Sequence, residues 1–88
     1  MTEARSLVFV TRVDCSLCEE GLALVGTHAR RQGVTVEVVD VDADRGLSEQ
    51  FGDRVPVVLD ADGTVLAEGR ISAWAARRAA ARAARPRR

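Results

Sequence analysis

Residues 7–18, LVFVTRVDCSLC, decide the fold, because an apolar segment there runs directly into a helical pattern that opens on two cysteines. The continuous apolar run of residues 7–10 is typical of a strand buried on both faces. Between Cys15 and Gln32 apolar side chains recur every three or four residues, as in a helix with one face on a core. Gly33 predicts the end of that helix. Residues 34–39, VTVEVV, alternate and are β-branched, which predicts a second strand.

The elements that follow complete a small α/β domain. The first strand, helix and second strand make a βαβ unit, whose strands are parallel with a right-handed crossover. A short helix comes next, capped by Asp42 or Asp44. Residues 57–59 and 64–67 predict two further strands, joined as an antiparallel pair by an Asp-Gly turn. The predicted order up to this point is βαβαββ.

A last helix is predicted after Ser72, a favourable N-cap residue. Trp74 is expected to be its large apolar anchor, in the core or lying over the sheet. In the first helix Gly21 and Gly26 each cost up to about 1 kcal/mol relative to alanine. We therefore expect both glycines to be compensated by close packing against the sheet.

Length and composition limit the chain to one compact domain. It has 88 residues, of which 47% are hydrophobic, so a core is feasible and wholesale disorder is not. No apolar run approaches the roughly 18 residues of a membrane span, and the first residues lack a signal-peptide pattern. We therefore expect a cytoplasmic protein without a membrane partner. In that compartment a cysteine pair more often binds metal or does redox chemistry than staples a fold.

The zero formal net charge is the sum of two unequal parts. Residues 1–69 hold six arginines against all 13 acidic side chains, a charge of −7, whereas residues 70–88 hold seven arginines and no acid. We divide the chain into a domain at residues 1–82 and a flexible basic tail at residues 83–88. The tail has no aromatic residue for stacking on bases, and the acidic remainder would repel phosphates, so we expect no nucleic-acid partner.

The two cysteines carry the chemistry. Cys15 and Cys18 are one helical turn apart, close enough to form a disulfide. The unpaired N–H groups of a first helical turn stabilise a thiolate, so we expect a lowered pKa for Cys15. Arg12 adds positive charge nearby, and Asp14 opposes ionisation. A zinc site within one chain fails because His28 is the only further ligand and lies roughly 15 Å along the helix.

The residue pattern resembles the thioredoxin superfamily, and within it the glutaredoxin-like branch of small bacterial proteins. The resemblance rests on residues 11–18, TRVDCSLC, after the first strand and on residues 54–58, RVPVV, before the third. It implies a thioredoxin-like α/β fold of order βαβαββα, with a four-stranded mixed sheet and helices on both faces. It also implies a cis peptide between Val55 and Pro56, with the Val55 backbone pairing to an extended substrate.

The function implied by this resemblance is thiol-disulfide exchange in electron transport and cell redox homeostasis. Cys15 would attack a protein or small-molecule disulfide, and Cys18 would resolve the mixed disulfide. Arg12, Arg54, Val55 and Pro56 would contact the substrate, and no cofactor or metal would be held tightly.

The reductant is left open between glutathione and a thioredoxin-type reductase. Glutaredoxins usually carry an aromatic residue inside the CxxC motif and a glycine pair followed by acidic residues at the last helix. This chain has Ser-Leu inside the motif and residues 69–72, GRIS, at the last helix. The competing hypothesis is a non-catalytic binding module, or a dimeric carrier of a metal or iron-sulfur cluster on the same cysteines. For the oxidoreductase we expect a monomer.

Overall fold

The strands form one mixed sheet in which the order along the chain is not the order in space. The computed structural model describes residues 5–85. Its strands are β1 (Ser6–Thr11), β2 (Thr35–Asp40), β3 (Val57–Asp60) and β4 (Val65–Glu68). Across the sheet they lie in the order β2-β1-β3-β4, with β1 parallel to β2 and the other two pairs antiparallel. The predicted parallel βαβ unit and antiparallel hairpin are both present.

The helices are α1 (Ser16–Arg31), α2 (Arg45–Phe51) and α3 (Ala73–Ala84), with a 3-10 turn at Val41–Ala43. The predicted order βαβαββα is confirmed. Gly33 ends α1 at φ 70°, and the Val34 N–H donates to the Ala29 carbonyl at 2.8 Å, as in a Schellman motif. Asp44, of the two candidate caps, accepts from the Leu47 N–H and begins α2. Within residues 5–85 no helix has the length and hydropathy to cross a membrane.

The helices cover both faces of the sheet, as predicted. On one face α1 and α3 pack on alternate β1 side chains, Leu7 and Phe9, which are fully buried. On the other face Phe51 of α2 packs with Val10 and Val57. The period-two alternation of β1 therefore supplies both halves of the core.

The prediction that Trp74 anchors α3 is wrong. Its side chain is 65% exposed, and the Arg78 guanidinium lies 4.7 Å from the ring centroid. The buried face of α3 consists instead of small side chains, which let the helix approach its neighbours closely: Ala76, Ala79, Ala80 and Ala83. An alanine face leaves no room for an indole, so the tryptophan lies outside.

The helix also extends into the segment expected as a tail. It runs to Ala84, and Ala83 is buried in the core between sheet and helices. The expected tail at residues 83–88 therefore begins with two helical residues. Residues 86–88 lie outside the described residues.

Candidate active site

The two cysteines lie where β1 leads into α1. Asp14 has φ 59°, in the left-handed region, which short polar side chains tolerate best after glycine. This turn makes Cys15 the N-cap of α1. Its Sγ accepts a hydrogen bond from the Cys18 N–H at 3.1 Å, the position that a serine or aspartate oxygen takes in an ordinary cap. The sulfur of Cys15 therefore faces the backbone donors of the first turn.

Cys15 and Cys18 form a disulfide, with their Cα atoms 5.2 Å apart. Cys18 is only 1% exposed and belongs to the core, whereas Cys15 is half-buried and packs against the edge of the same cluster. The two sulfurs thus differ in access. A reactant from solvent can reach Cys15, while Cys18 lies behind it.

The peptide between Val55 and Pro56 is cis, as the resemblance implied. Pro56 is fully buried, and its carbonyl accepts a hydrogen bond from the Gly69 N–H at 2.8 Å. Val55 is half-buried and packs against the clusters on both faces of the sheet, including the one that holds Cys18. Val55 and Cys18 therefore belong to the same side-chain cluster between the sheet and its helices.

Gly21 explains how these segments come together. It lies in α1, three residues after Cys18. A Cβ atom at Gly21 would lie 3.2 Å from Ile71 Cδ1, 3.4 Å from Phe9 Cζ and 3.6 Å from Pro56 Cγ. The absence of a side chain there lets the cis-proline loop and the segment before α3 rest directly on the helix that carries the cysteines.

Arg12 is held by an intramolecular carboxylate. Its Nε and Nη2 donate to the two oxygens of Asp42 at 2.9 and 3.0 Å, and its Nη1 donates to the Gly52 carbonyl at 2.8 Å. The hydrogen bond to Asp42 raises the pKa of Arg12 and lowers the pKa of Asp42. Asp53 and Asp40 add further favourable charge around Arg12. These groups draw the guanidinium toward the segments that flank α2.

Arg54 is likewise engaged within the chain. Its Nη2 donates to Glu68, and its guanidinium lies 5.2 Å from the centroid of the Phe51 ring. The hydrogen bond to Glu68 raises the pKa of Arg54, and the same bond lowers the pKa of Glu68. Of the predicted substrate-contacting residues, Val55 packs against the core cluster that holds Cys18, Pro56 lies against Gly21 of α1, and both arginines pair with carboxylates.

Two carboxylates, Asp42 and Glu68, pair with the arginines that were predicted to contact substrate, and neither was predicted to do so. The sequence marks Asp42 only as a possible helix cap, since its pairing with a residue 30 positions earlier has no local signal. Glu68 lies opposite Val57 because the β3–β4 register shifts between Val58 and Leu59. Counting outward from the turn without that irregularity places Ala67 there, so the sequence alone misses the contact.

The positions of possible metal ligands were compared across residues 5–85. No three His, Cys, Asp or Glu side chains in that part of the chain gather closely enough to hold a metal ion. His28 is half-buried on α1, ten residues beyond Cys18. The histidine is therefore not part of the cysteine site.

Three solved structures are similar to this chain and share its fold. Protein Ne2328 from Nitrosomonas europaea is 30% identical, with a TM-score of 0.66 over 77% of this chain and 81% of that one. Protein XcR50 from X. campestris is 32% identical, with a TM-score of 0.62 over 82% and 91%. Thioredoxin 1 from Thermosipho africanus TCF52B is 21% identical, with a TM-score of 0.65 over 88% and 91%. The last likeness shows the fold, which is thioredoxin-like.

The family follows from the sequence match. The family model described as "Glutaredoxin-like domain (DUF836)" matches residues 6–82. No curated protein matches the chain. The chain belongs to this glutaredoxin-like family, and its fold is thioredoxin-like. Family and CxxC pair together support a function of the thiol-disulfide oxidoreductase type.

Proposed function

We propose that this protein catalyses dithiol-disulfide exchange through Cys15 and Cys18. The observation that carries the proposal is the disulfide at the start of α1, with a half-buried Cys15 in front of a buried Cys18. An accessible sulfur at a helix N-terminus and a shielded partner one turn later suit an attacking and a resolving thiol. The disulfide represents the oxidised state of this cycle.

The reduced protein begins the reaction in the exchange direction. The Cys15 thiolate attacks one sulfur of a substrate disulfide, the substrate S–S bond breaks, and one substrate thiolate leaves and takes up a proton. Cys18 then loses its proton and attacks the Cys15 sulfur of the mixed disulfide. The second substrate thiol leaves, and the Cys15–Cys18 bond forms. Two electrons pass from the protein to the substrate, and a cellular thiol reductant returns them.

The backbone of the first turn is the group that supports the Cys15 thiolate in this proposal. The Cys18 N–H already donates to the Cys15 sulfur, and the helix dipole adds to it. Arg12 acts indirectly: by bonding to Asp42 and Gly52 it fixes the end of β1 against the segments beside α2. Val55 and Pro56 would align an extended substrate chain beside Cys15.

The remaining expectations complete the proposal. The substrate is a protein or small-molecule disulfide, and the reductant is glutathione or a thioredoxin-type reductase. We place the protein in the cytoplasm, because a reducing compartment lets a cysteine pair cycle. We also expect a monomer without tightly bound cofactor. Its place in metabolism would be electron transport and redox homeostasis.

A redox titration tests the proposal. The protein is equilibrated in thiol-disulfide buffers of graded ratio, the free thiols are alkylated, and the intact mass is read. We expect the wild-type cysteine pair to show one reversible two-electron transition. The ratio of oxidised to reduced protein should then change tenfold for each ~30 mV of buffer potential. A Cys18→Ser control removes the intramolecular transition. A pair that stays reduced, or stays oxidised, at every attainable potential would overturn the proposal and favour a binding module.

A further inference from the structure

Three arginines of the segments that carry the cysteines, the cis-proline and its Gly69 hydrogen-bond partner pair with carboxylates of the same chain. Arg12 bonds Asp42 through two N–H groups, and Arg54 bonds Glu68 beside the cis-proline. Arg70, in the segment that follows β4, lies 4.0 Å from Glu20 of α1. The three cations that flank the cysteine and cis-proline segments thus each face an intramolecular anion.

An anionic substrate would have to compete for these arginines. A carboxylate binds a guanidinium best through two parallel N–H donors, and Asp42 already occupies the Nε–Nη2 edge of Arg12. The remaining Nη1 of Arg12 donates to the Gly52 carbonyl. The Arg54 guanidinium is held from one side by Glu68 and lies over the Phe51 ring. Binding an external carboxylate therefore requires breaking internal pairs.

The excess charge near the site is negative. Asp14, Glu19 and Asp53 lie in the same segments as the cysteines and the cis-proline, in addition to the three paired carboxylates. These six carboxylates and the three arginines sum to a formal charge of −3. Asp53 lies close enough to Arg12 to raise its pKa.

The arginines of α3 follow its first turn. Arg77 lies five residues after the Ser72 cap, roughly 8 Å along the helix, and Arg85 roughly 20 Å. Charges are screened over about 8 Å at physiological ionic strength. The positive charge of α3 is therefore spread along the helix, and Arg85 at its far end lies more than two screening lengths from the Ser72 cap.

We propose that the site selects against anionic disulfides and prefers cationic or neutral ones, and that Asp42 and Glu68 determine this specificity. The inference rests on the proposed dithiol-disulfide exchange and narrows its substrate class. A disulfide that carries carboxylates, such as oxidised glutathione, would meet neutralised arginines and excess negative charge. A disulfide flanked by basic groups would meet unbalanced carboxylates.

The test compares three small disulfides of different charge with the reduced full-length protein. The probes are cystamine (dication), bis(2-hydroxyethyl) disulfide (neutral) and 3,3′-dithiodipropionate (dianion), each reduced to two thiols as the protein forms the Cys15–Cys18 bond. Each rate constant is divided by the rate of the same disulfide with dithiothreitol, which cancels intrinsic reactivity. At low ionic strength we expect the normalised rate constant of cystamine to be about tenfold higher than that of dithiodipropionate. The ratio should approach one in about 1 M salt.

Two variants locate the selectivity, and a third controls for net charge. Asp42→Asn and Glu68→Gln each release an arginine and should each lower the cystamine-to-dithiodipropionate ratio by roughly threefold. Glu37→Gln removes the same charge from the middle of β2, opposite Val8, and should leave the ratio unchanged.

The outcomes separate the two proposals. A wild-type ratio of one or below, or an equal fall of the ratio in Glu37→Gln, would overturn the inference while exchange itself stands. Failure of the neutral disulfide to oxidise the cysteine pair would overturn the exchange proposal, and the selectivity with it.

Discussion

Asp14 shows how much a single residue contributes to the site. Its left-handed backbone turns the chain from β1 into α1 and puts Cys15 at the cap. A β-branched residue cannot take this conformation without steric cost, whereas Asn and Asp take it more readily. The same residue places a negative charge next to Cys15. Conformation and charge therefore act together at this position, and substitutions can separate them.

We predict that Asp14→Val lowers the free energy of unfolding by about 1–2 kcal/mol because the valine is strained at φ 59°. Asp14→Asn keeps the tolerated geometry and should change stability by less than about 0.5 kcal/mol. Urea unfolding of the oxidised protein measures both. An equal loss in the two variants would mean that the carboxylate charge, and not the backbone, accounts for the effect.

The residues with local signals were predictable, and those with distant partners were not. Cys15, Cys18 and Pro56 stand at element boundaries, where the CxxC and Val-Pro patterns mark them. Arg12 also stood out, but its bond to Asp42 spans 30 residues and depends on how the segment beside α2 folds back. The sequence shows that an arginine stands three residues before a cysteine. It does not show which carboxylate that arginine pairs with in the fold.

At the scale of elements, α1 holds two glycines with different surroundings. A Cβ atom at Gly21 would lie 3.2 Å from Ile71 and 3.4 Å from Phe9, whereas at Gly26 it would meet only the Arg30 guanidinium at 3.5 Å. The prediction of close packing against the sheet is therefore confirmed for Gly21. It is wrong for Gly26, which faces a groove beside β2. Helix periodicity alone does not separate the two positions.

We predict opposite effects for alanine at these positions. Gly26→Ala should raise the free energy of unfolding by up to about 1 kcal/mol, since alanine is the better helix former and the space is open. Gly21→Ala gains the same propensity but crowds Ile71 and Phe9, with a packing cost of about 1–3 kcal/mol that leaves it neutral or destabilised. Thermal or urea unfolding of the pair measures the difference. Equal stabilisation by both would contradict the close contact at Gly21.

The ends of the helices were predictable from the sequence. Which helix face is buried was only partly predictable. Gly33 and Ser72 mark helix ends through local backbone chemistry, and both stand where they were expected. For α3 the choice of buried face fails at Trp74, because its position depends on how closely the helix approaches the sheet and α1. That distance depends on tertiary packing. The alanines of α3 contribute to it, and Trp74 does not determine it.

At the scale of the whole molecule, ion pairs tie segments that are distant in sequence. Arg12–Asp42 links the end of β1 to the 3-10 turn, and Arg54–Glu68 links the cis-proline loop to β4. These four side chains are each about 40–50% exposed, so each pair adds little to stability on its own. Their clearest effect is to hold these segments together and to occupy the two guanidinium groups.

The two ion pairs should contribute to the free energy of unfolding near neutral pH, and this contribution should be lost in acid. The pKa of Asp42 and of Glu68 is lowered by the arginine hydrogen bonds, so folding is favoured above their ordinary pKa near 4 and the benefit disappears as pH falls through the lowered values. An Asp42→Asn/Glu68→Gln double variant should therefore unfold with a shallower dependence on pH below about pH 4. Urea unfolding as a function of pH gives the slopes. Identical slopes for variant and wild type would contradict the paired state of both carboxylates.

Strand order illustrates what the whole chain adds to its parts. The alternating and β-branched segments predict four strands, a parallel first pair and an antiparallel last pair, whereas the position of β3 beside β1 was not predicted. The register shift between Val58 and Leu59, which brings Glu68 opposite Val57, depends on the packing of β4 as an edge strand. The fold was therefore predictable in outline, while the charge environment of the site required the structure.

Trapping of the mixed disulfide tests the central claim most directly. Cys18→Ser, reduced and then treated with bis(2-hydroxyethyl) disulfide, should accumulate one stable adduct on Cys15, read by intact mass and peptide mapping. Cys15→Ser should react far more slowly, because Cys18 is 1% exposed. An adduct that forms on Cys18 as fast as on Cys15 would contradict the assignment of Cys15 as the attacking thiol and Cys18 as the resolving one.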